Sequence, residues 1–142
     1  MSGRLDHAYQ NAWELVKGKW VDPIAGCLGG YILLRLGKVL ELRTAFSNMT
    51  RYFNEISDSH ILYGEYMASS NNDSYAKDDF IMALDKGMPI VSDGLLRLFD
   101  RIQWYDIPHS RRSLLEKMFH KRIRGLLWAA WTPDELSPDM EL

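Results

Sequence analysis

The chain has 142 residues, of which 46% are hydrophobic and 25% are charged, and its net charge is −2. These proportions are typical of a single globular domain and exclude a disordered segment. A protein that binds nucleic acid through its overall charge would be far more basic, and one cysteine excludes a disulfide framework. The longest uncharged stretch, residues 23–34, is too short to span a bilayer, so we expect a cytoplasmic protein.

Helical periodicity dominates the N-terminal part of the chain. Apolar residues recur every three or four positions, and no alternating stretch is long enough to predict a strand. The first predicted helix covers residues 5–19. The second begins at Asp22-Pro23, a capping side chain followed by proline, and ends at Gly37. The third covers residues 39–56, and its inward-facing residues include Tyr52.

Three further helices are predicted in the middle of the chain. A cap formed by residues 57–59 opens the fourth helix. The polar loop of residues 69–74 separates it from the fifth helix, which covers residues 75–86. The sixth helix begins at Ser92-Asp93.

The seventh predicted helix opens at Asp106 and Pro108 and continues to Trp131. An acidic tail, residues 132–142, follows it. Short connections between helices favour antiparallel neighbours. The sequence therefore predicts one all-α domain, residues 1–131, made of about seven antiparallel helices.

One helix pair carries a repeat-like signature. Ala76, Phe80 and Ala83 follow Gly64 by 12, 16 and 19 residues. A tetratricopeptide repeat (TPR) has small, small, aromatic and small residues at these offsets, which allow its paired helices to approach closely. We therefore expect a TPR-like helical array, with close packing at Gly64, Ala76 and Ala83.

A second set of small residues lies in the second helix, at Ala25, Gly26, Gly29 and Gly30. Glycine within a helix costs roughly 1 kcal/mol relative to alanine, so these glycines need a compensating role. A phosphate-binding loop fits poorly, because no Lys-Ser/Thr pair follows and no strand precedes. We interpret the four residues as a face against which another helix packs closely.

The sequence contains few residues that suggest catalysis or metal binding. Cys27 with a histidine would provide the residue types of a nucleophilic pair, but a cysteine in an apolar run is usually a small hydrophobic residue. The sequence around His7, His60, His109 and His120 matches no catalytic signature or metal-ligand spacing. We therefore expect a protein that is not an enzyme and that uses no cofactor or metal.

The acidic residues have ordinary interpretations. Carboxylates are common at helix starts and on solvated faces, and these positions account for Asp78-Asp79 and Asp106. His60 and Glu65 fit polar positions of the fourth helix. None of these positions is predicted to form a site.

The seventh helix has a polar-aromatic stripe in addition to its apolar core stripe. Lys117, Lys121, Arg124, Trp128 and Trp131 fall within roughly 80° of arc on this helix. In one interpretation, the tryptophans are covered by the acidic tail or by a preceding helix. In another, the stripe is a docking surface, since tryptophan and arginine are frequent interface anchors. In a third interpretation, the stripe binds nucleic acid. The net negative charge of the chain argues against this interpretation.

Two separated stretches, residues 22–37 and 83–98, form a recognisable pattern together with Asn48 and Phe53. The first stretch reads DPIAGCLGGYILLRLG, and the second contains Gly87-Met88-Pro89-Ile90 and, after three residues, Gly94-Leu95. The pattern resembles that of the helical regions appended to bacterial caspase-like and trypsin-like peptidases, which reads roughly DPxAxxxxxYxLLRLG, then NxxxxF, then G-P-V/I-x-x-x-G-L. This resemblance implies an interaction or regulatory module of a bacterial defence or signalling system. The chain contains no peptidase domain to which catalytic residues could be assigned.

We therefore predict a non-enzymatic protein–protein interaction or regulatory module. The expected partner is another protein, such as a caspase-like or other peptidase or a second copy of this chain. The alternative is a nucleic-acid-binding helical protein that uses the basic helix of residues 109–131. A salt series separates these hypotheses, because phosphate contacts lose affinity steeply as salt increases.

The stripe can be tested by replacing Trp128 and Trp131 together with alanine. If the stripe is a contact surface, the double variant should lose complex formation in size-exclusion chromatography. Its free energy of unfolding should fall by less than the ~3 kcal/mol of a core truncation. A double variant that is unfolded by circular dichroism would instead assign both rings to the core.

Overall fold

The structure, a computed structural model, describes the backbone of residues 2–130 and the side chains of residues 3–123. In this part of the chain there are seven α-helices and two 3-10 helices, Gly18–Trp20 and Leu40–Leu42, and no strand. The α-helices are α1 (Ser2–Lys17), α2 (Pro23–Arg35), α3 (Arg43–Tyr52), α4 (Ser57–Ser69), α5 (Asp73–Lys86), α6 (Ser92–Tyr105) and α7 (Arg112–Ala130). The predicted all-α fold is confirmed. The predicted acidic tail, residues 132–142, lies outside the described residues.

The start of α2 follows from its sequence. The Asp22 carboxylate accepts a hydrogen bond from the Ala25 backbone N–H at 3.0 Å, and Pro23 occupies the first turn. This arrangement confirms the predicted cap. Proline is well tolerated at this position because the first N–H groups of a helix have no partner within it.

The start of α7 differs from the prediction. Asp106 does not open this helix, because it adopts a left-handed conformation with φ of 49° directly after α6. The Ile107 N–H donates to the Ile102 carbonyl at 3.1 Å, which closes the last turn of α6. A left-handed residue with such a hydrogen bond is a common helix ending. Helix α7 begins only at Arg112, so Pro108 also precedes the helix that it was predicted to open.

Helix α4 is the centre of the array. It packs against α2, α3, α5 and α6, whereas α1 packs mainly on α2, and α7 on α6. Eight residues of α4 are buried, and they include polar residues at its N-terminal end as well as apolar ones. A helix buried around most of its circumference belongs to the interior of a fold rather than to its surface.

The hydrophobic core extends from α1 to the start of α7. Every described α-helix contributes to it, so the described residues share one continuous interior. Its largest fully buried side chains are Tyr31, Phe46, Phe80, Leu33, Leu42, Met49, Ile61, Leu62, Leu84, Leu98, Ile102 and Ile107. None of the described helices is both long and apolar enough to cross a membrane.

The small residues of α2 lie where neighbouring elements approach most closely. A Cβ atom added to Gly29 would stand 2.5 Å from the Ala12 carbonyl oxygen, and one on Gly30 would stand 2.9 Å from the Phe46 ring. A Cβ atom on Gly26 would meet the 3-10 helix that follows α1. In the proposed packing face, the three glycines Gly26, Gly29 and Gly30 are buried, and Ala25 is half-buried.

Helices α4 and α5 also approach closely. A Cβ atom added to Gly64 would lie 2.8 Å from the Phe80 ring, so glycine leaves the space that this ring fills. Ala76 and Ala83 are fully buried in the same helix pair. These contacts involve one pair of helices, and the TPR-like character of the whole array stays a prediction.

The contact between α1 and α2 can be tested with Gly29→Ala. The added methyl group would collide with the backbone of α1, which is fixed within a helix, so the free energy of unfolding should fall by about 1–3 kcal/mol. Urea unfolding followed by circular dichroism measures the change. Gly18→Ala is the matched control, because nothing lies within 4 Å of its added Cβ atom. Equal stabilities of the two variants would contradict close packing at Gly29.

Candidate functional site

The predicted docking stripe lies only partly within the described residues. Lys117 and Lys121 are both exposed and stand one turn apart on α7. The side chains of Arg124 and Trp128, and all of Trp131, lie outside the described residues. The stripe as a whole therefore stays a prediction, and its N-terminal lysines lie on an accessible face.

Cys27 lies in the interior, where burial disfavours the reactive thiolate form of its side chain. Burial, followed by the nearby charge of Asp58, raises the pKa of the Cys27 thiol to about 12. The thiol is therefore protonated at physiological pH, whereas a nucleophilic cysteine must be a thiolate.

The described histidines and carboxylates form no metal site. His60 bonds the Asn54 carbonyl oxygen at 2.8 Å, and His109 bonds the Asp85 carboxylate at 2.7 Å. Among the described residues, no three His, Cys, Asp or Glu side chains are grouped so that they could hold a metal ion.

Asp58 has a different role from the predicted cap. Its carboxylate is fully buried and accepts hydrogen bonds from the Tyr31 hydroxyl at 2.9 Å and from the backbone N–H groups of Ile90 at 2.7 Å and Val91 at 3.2 Å. Burial raises the pKa of Asp58, while these donors act in the opposite direction. The carboxylate therefore joins α2, α4 and the α5–α6 connection.

This contact brings together the two stretches of the sequence pattern, residues 22–37 and 83–98. Tyr31 belongs to its first stretch, and Ile90 and Gly94 belong to its second. A Cβ atom on Gly94 would lie 2.4 Å from the Tyr31 hydroxyl oxygen and 2.7 Å from the Asp58 carboxylate. Glycine at this position therefore lets the start of α6 lie against the buried carboxylate, and the two stretches meet there.

A second buried carboxylate links α4 to α6. Glu65, which the sequence suggested to be an ordinary helix position, is only 3% exposed. It accepts hydrogen bonds from Arg97 at 3.2 Å and from the Arg101 Nε atom at 2.9 Å. A buried charge requires such partners, so this ion cluster fixes the face that α6 turns toward α4.

Asp79 also departs from its sequence interpretation. It is half-buried, whereas the adjacent Asp78 is exposed as expected of a solvated face. Burial, and then the charge of Asp78, raises the pKa of Asp79 to about 7. Asp79 is therefore partly protonated at neutral pH.

A cleft of about 600 Å³ lies between the α5–α6 connection and α7, and we refer to it as the α7 cleft. Its polar lining residues are Ser92, Lys121 and Arg122, and the Arg122 guanidinium donates to the Ser92 hydroxyl. Its apolar lining residues are Pro89, Ile90, Val91, Leu95 and Met118. The α7 cleft thus combines an apolar surface with positive charge, and it includes one lysine of the predicted stripe.

An exposed aromatic cluster lies elsewhere on the surface. Trp20 and Tyr52 are 54% and 57% exposed, and their ring centroids are 5.2 Å apart. The prediction that Tyr52 faces inward is therefore wrong: Tyr52 is the last residue of α3 and packs against the 3-10 helix that contains Trp20. Arg51 lies over the Tyr52 ring at 5.6 Å.

Only indirect signals in the sequence point to the residues that form these contacts. The predicted cap, residues 57–59, and the predicted polar position His60 are all buried. The useful signal was the paired pattern of residues 22–37 and 83–98, because both stretches supply partners of Asp58. For the α7 cleft, the same stretch of residues 83–98 and Lys121 were singled out in the sequence, but nothing indicated that they lie together.

Comparison with known proteins gives the class of this chain. A probable protease from a Desulfuromonadales bacterium is 47% identical to it over 130 residues, which make up 92% of this chain and 16% of that protein. The chain thus spans less than one-fifth of the length of this relative. The fold and this similarity define a helical domain associated with proteases.

The family follows from a second comparison. Residues 2–137 match the family described as the Y4kD C-terminal domain, and the chain belongs to this family. The family and the name of this relative support the expected resemblance to a protease-associated domain, and the role of the domain stays a prediction. No solved structure matches the chain significantly.

The buried contact can be tested with Asp58→Ala. The buried Tyr31 hydroxyl and the N–H groups of Ile90 and Val91 would lose their acceptor, so the free energy of unfolding should fall by about 3 kcal/mol or more. Asp58→Asn keeps one acceptor oxygen and should have a smaller effect. Asp6→Ala, at an exposed position of α1, is the control. If the Asp58 and Asp6 variants unfold at the same urea concentration, the contact has no structural role.

Proposed function

We propose that this chain is a non-catalytic helical domain of a protease system, and that it binds another polypeptide to position or regulate the protease. The α7 cleft is the observation that carries the proposal. It offers an apolar surface next to positive charge, which suits recognition of a polypeptide. Its described lining residues include no histidine, cysteine or carboxylate that would serve as a general base or metal ligand.

The interior of the domain supports the non-catalytic part of this proposal. Cys27 is buried with a raised pKa, and the nearby Asp58 carboxylate uses its acceptor capacity on Tyr31 and two backbone N–H groups. These groups therefore hold the fold together and are not available to a substrate. We assign them a structural role.

The relative supports the protease part of the proposal. It is named a probable protease, and the region similar to this chain is a small part of it. A domain of this kind acts either within the same polypeptide as the protease or on a separate one. The defence or signalling role implied by the sequence resemblance stays a prediction.

The proposal can be tested with the related probable protease. Three forms are compared: the intact protein, a form that lacks the region similar to this chain, and the isolated chain. Casein cleavage should persist in the shortened form and be absent from the isolated chain, because the catalytic groups lie elsewhere. In size-exclusion chromatography the isolated chain should co-elute with the shortened protease.

Two results would contradict the proposal. Casein cleavage by the isolated chain would make it an enzyme. Separate elution, together with unchanged casein cleavage when the shortened form is supplemented with the chain, would remove the proposed association. An unrelated helical domain of similar size serves as the control for nonspecific co-elution.

A further inference from the structure

The wall of the α7 cleft is held in a defined conformation. Asp58 accepts hydrogen bonds from the Ile90 and Val91 N–H groups, which fixes the backbone of the α5–α6 connection from the inside. The Ile90 side chain nevertheless remains 64% exposed. An apolar side chain presented to solvent on a fixed backbone is suited to binding, because little conformational entropy is lost when a ligand contacts it.

The opposite wall supplies positive charge. Lys121 and Arg122 line the α7 cleft, and Lys117 is exposed one turn before Lys121. Asp93, at the adjacent start of α6, is already paired with Arg35 at 2.5 Å. The described lining of the α7 cleft is therefore cationic, and it complements a negatively charged ligand.

We propose that the α7 cleft binds an acidic segment of a partner polypeptide, in which carboxylates flank a bulky apolar side chain. The apolar side chain contacts Ile90 and the floor formed by Leu95 and Met118, and the carboxylates pair with Lys121 and Arg122. The volume of about 600 Å³ suits one or two side chains rather than a folded surface. This inference rests on the proposed function and names the chemistry of the partner.

The described lining residues favour a peptide over a nucleic acid. Sequence-tolerant binding of single strands uses aromatic rings on which bases stack. The described lining of the α7 cleft is aliphatic and contains no aromatic ring. The chain as a whole also carries a net charge of −2, which opposes phosphate binding.

The test measures fluorescence anisotropy of a short labelled peptide in which leucines alternate with aspartate and glutamate. The full chain should bind this peptide, and a version with lysine at the acidic positions should not bind. Lys121→Glu should weaken binding about tenfold or more, because it opposes like charges across the contact. The same variant should gain affinity for the lysine peptide.

Matched controls separate the α7 cleft from the general surface. Arg43→Glu makes the same charge change at an exposed position of α3 and should leave binding within about twofold of the unchanged chain. Ile90→Ser should weaken binding, whereas Val21→Ser, at a position that is 93% exposed and outside the α7 cleft, should not. Circular dichroism melting confirms that each variant is folded.

Equal losses of affinity for Lys121→Glu and Arg43→Glu, or equal binding of the acidic and lysine peptides, would overturn this inference. Absence of peptide binding, or tighter binding of oligodeoxythymidine than of the acidic peptide, would also overturn it. A strong increase in affinity for the acidic peptide after Asp134→Asn and Glu135→Gln would show that the chain's own acidic residues compete for the α7 cleft. This result would overturn the proposal that the ligand is a separate polypeptide. Co-elution with the shortened protease tests the proposed function independently of these results.

Discussion

The fold depends on one buried carboxylate of α4 that satisfies three donors from two other parts of the chain. Asp58 accepts from the Tyr31 hydroxyl of α2 and from the Ile90 and Val91 N–H groups of the α5–α6 connection. A connection between helices is normally at the surface, because buried backbone groups need partners that loops rarely provide. Here the side chain of Asp58 provides them. The start of α6 can therefore lie against α4, and the outer side of the same connection forms a wall of the α7 cleft.

The buried charges on α4 determine which helices it can accept as neighbours. A purely apolar α4 would pack against many helix faces of suitable shape. Glu65 instead requires the guanidinium groups of Arg97 and Arg101, and Asp58 requires Tyr31. A misplaced helix would leave these carboxylates unpaired in the interior, which is strongly unfavourable. The polar residues of α4 therefore contribute specificity as well as stability to this array.

The sequence predicted the helices well because their periodicity and ends are local properties. The Asp22-Pro23 start of α2 depends only on neighbouring residues, and it was read correctly. Asp58 was read as a cap because aspartate near serines at a helix start usually caps it, and its real partners lie 27 to 33 residues away. The α7 cleft is formed by segments distant in the sequence, so periodicity could not predict it. Lys121 was identified from its helical face and Ile90 from the pattern of residues 83–98, but neither signal showed that the two residues line one cleft, because their shared location depends on the tertiary fold.

The hydrogen bonds of Ile90 and Val91 have a consequence for the motions of the domain. Amide hydrogens in connections between helices usually exchange with solvent deuterium quickly, since small local openings expose them. The amides of Ile90 and Val91 bond a carboxylate in the interior, and exposing them requires α4 and the start of α6 to separate. Their exchange should therefore follow the slow openings of the core helices rather than the fast fluctuations of the surface. The wall of the α7 cleft would then be among the slowest-opening parts of the molecule, although it is not helical.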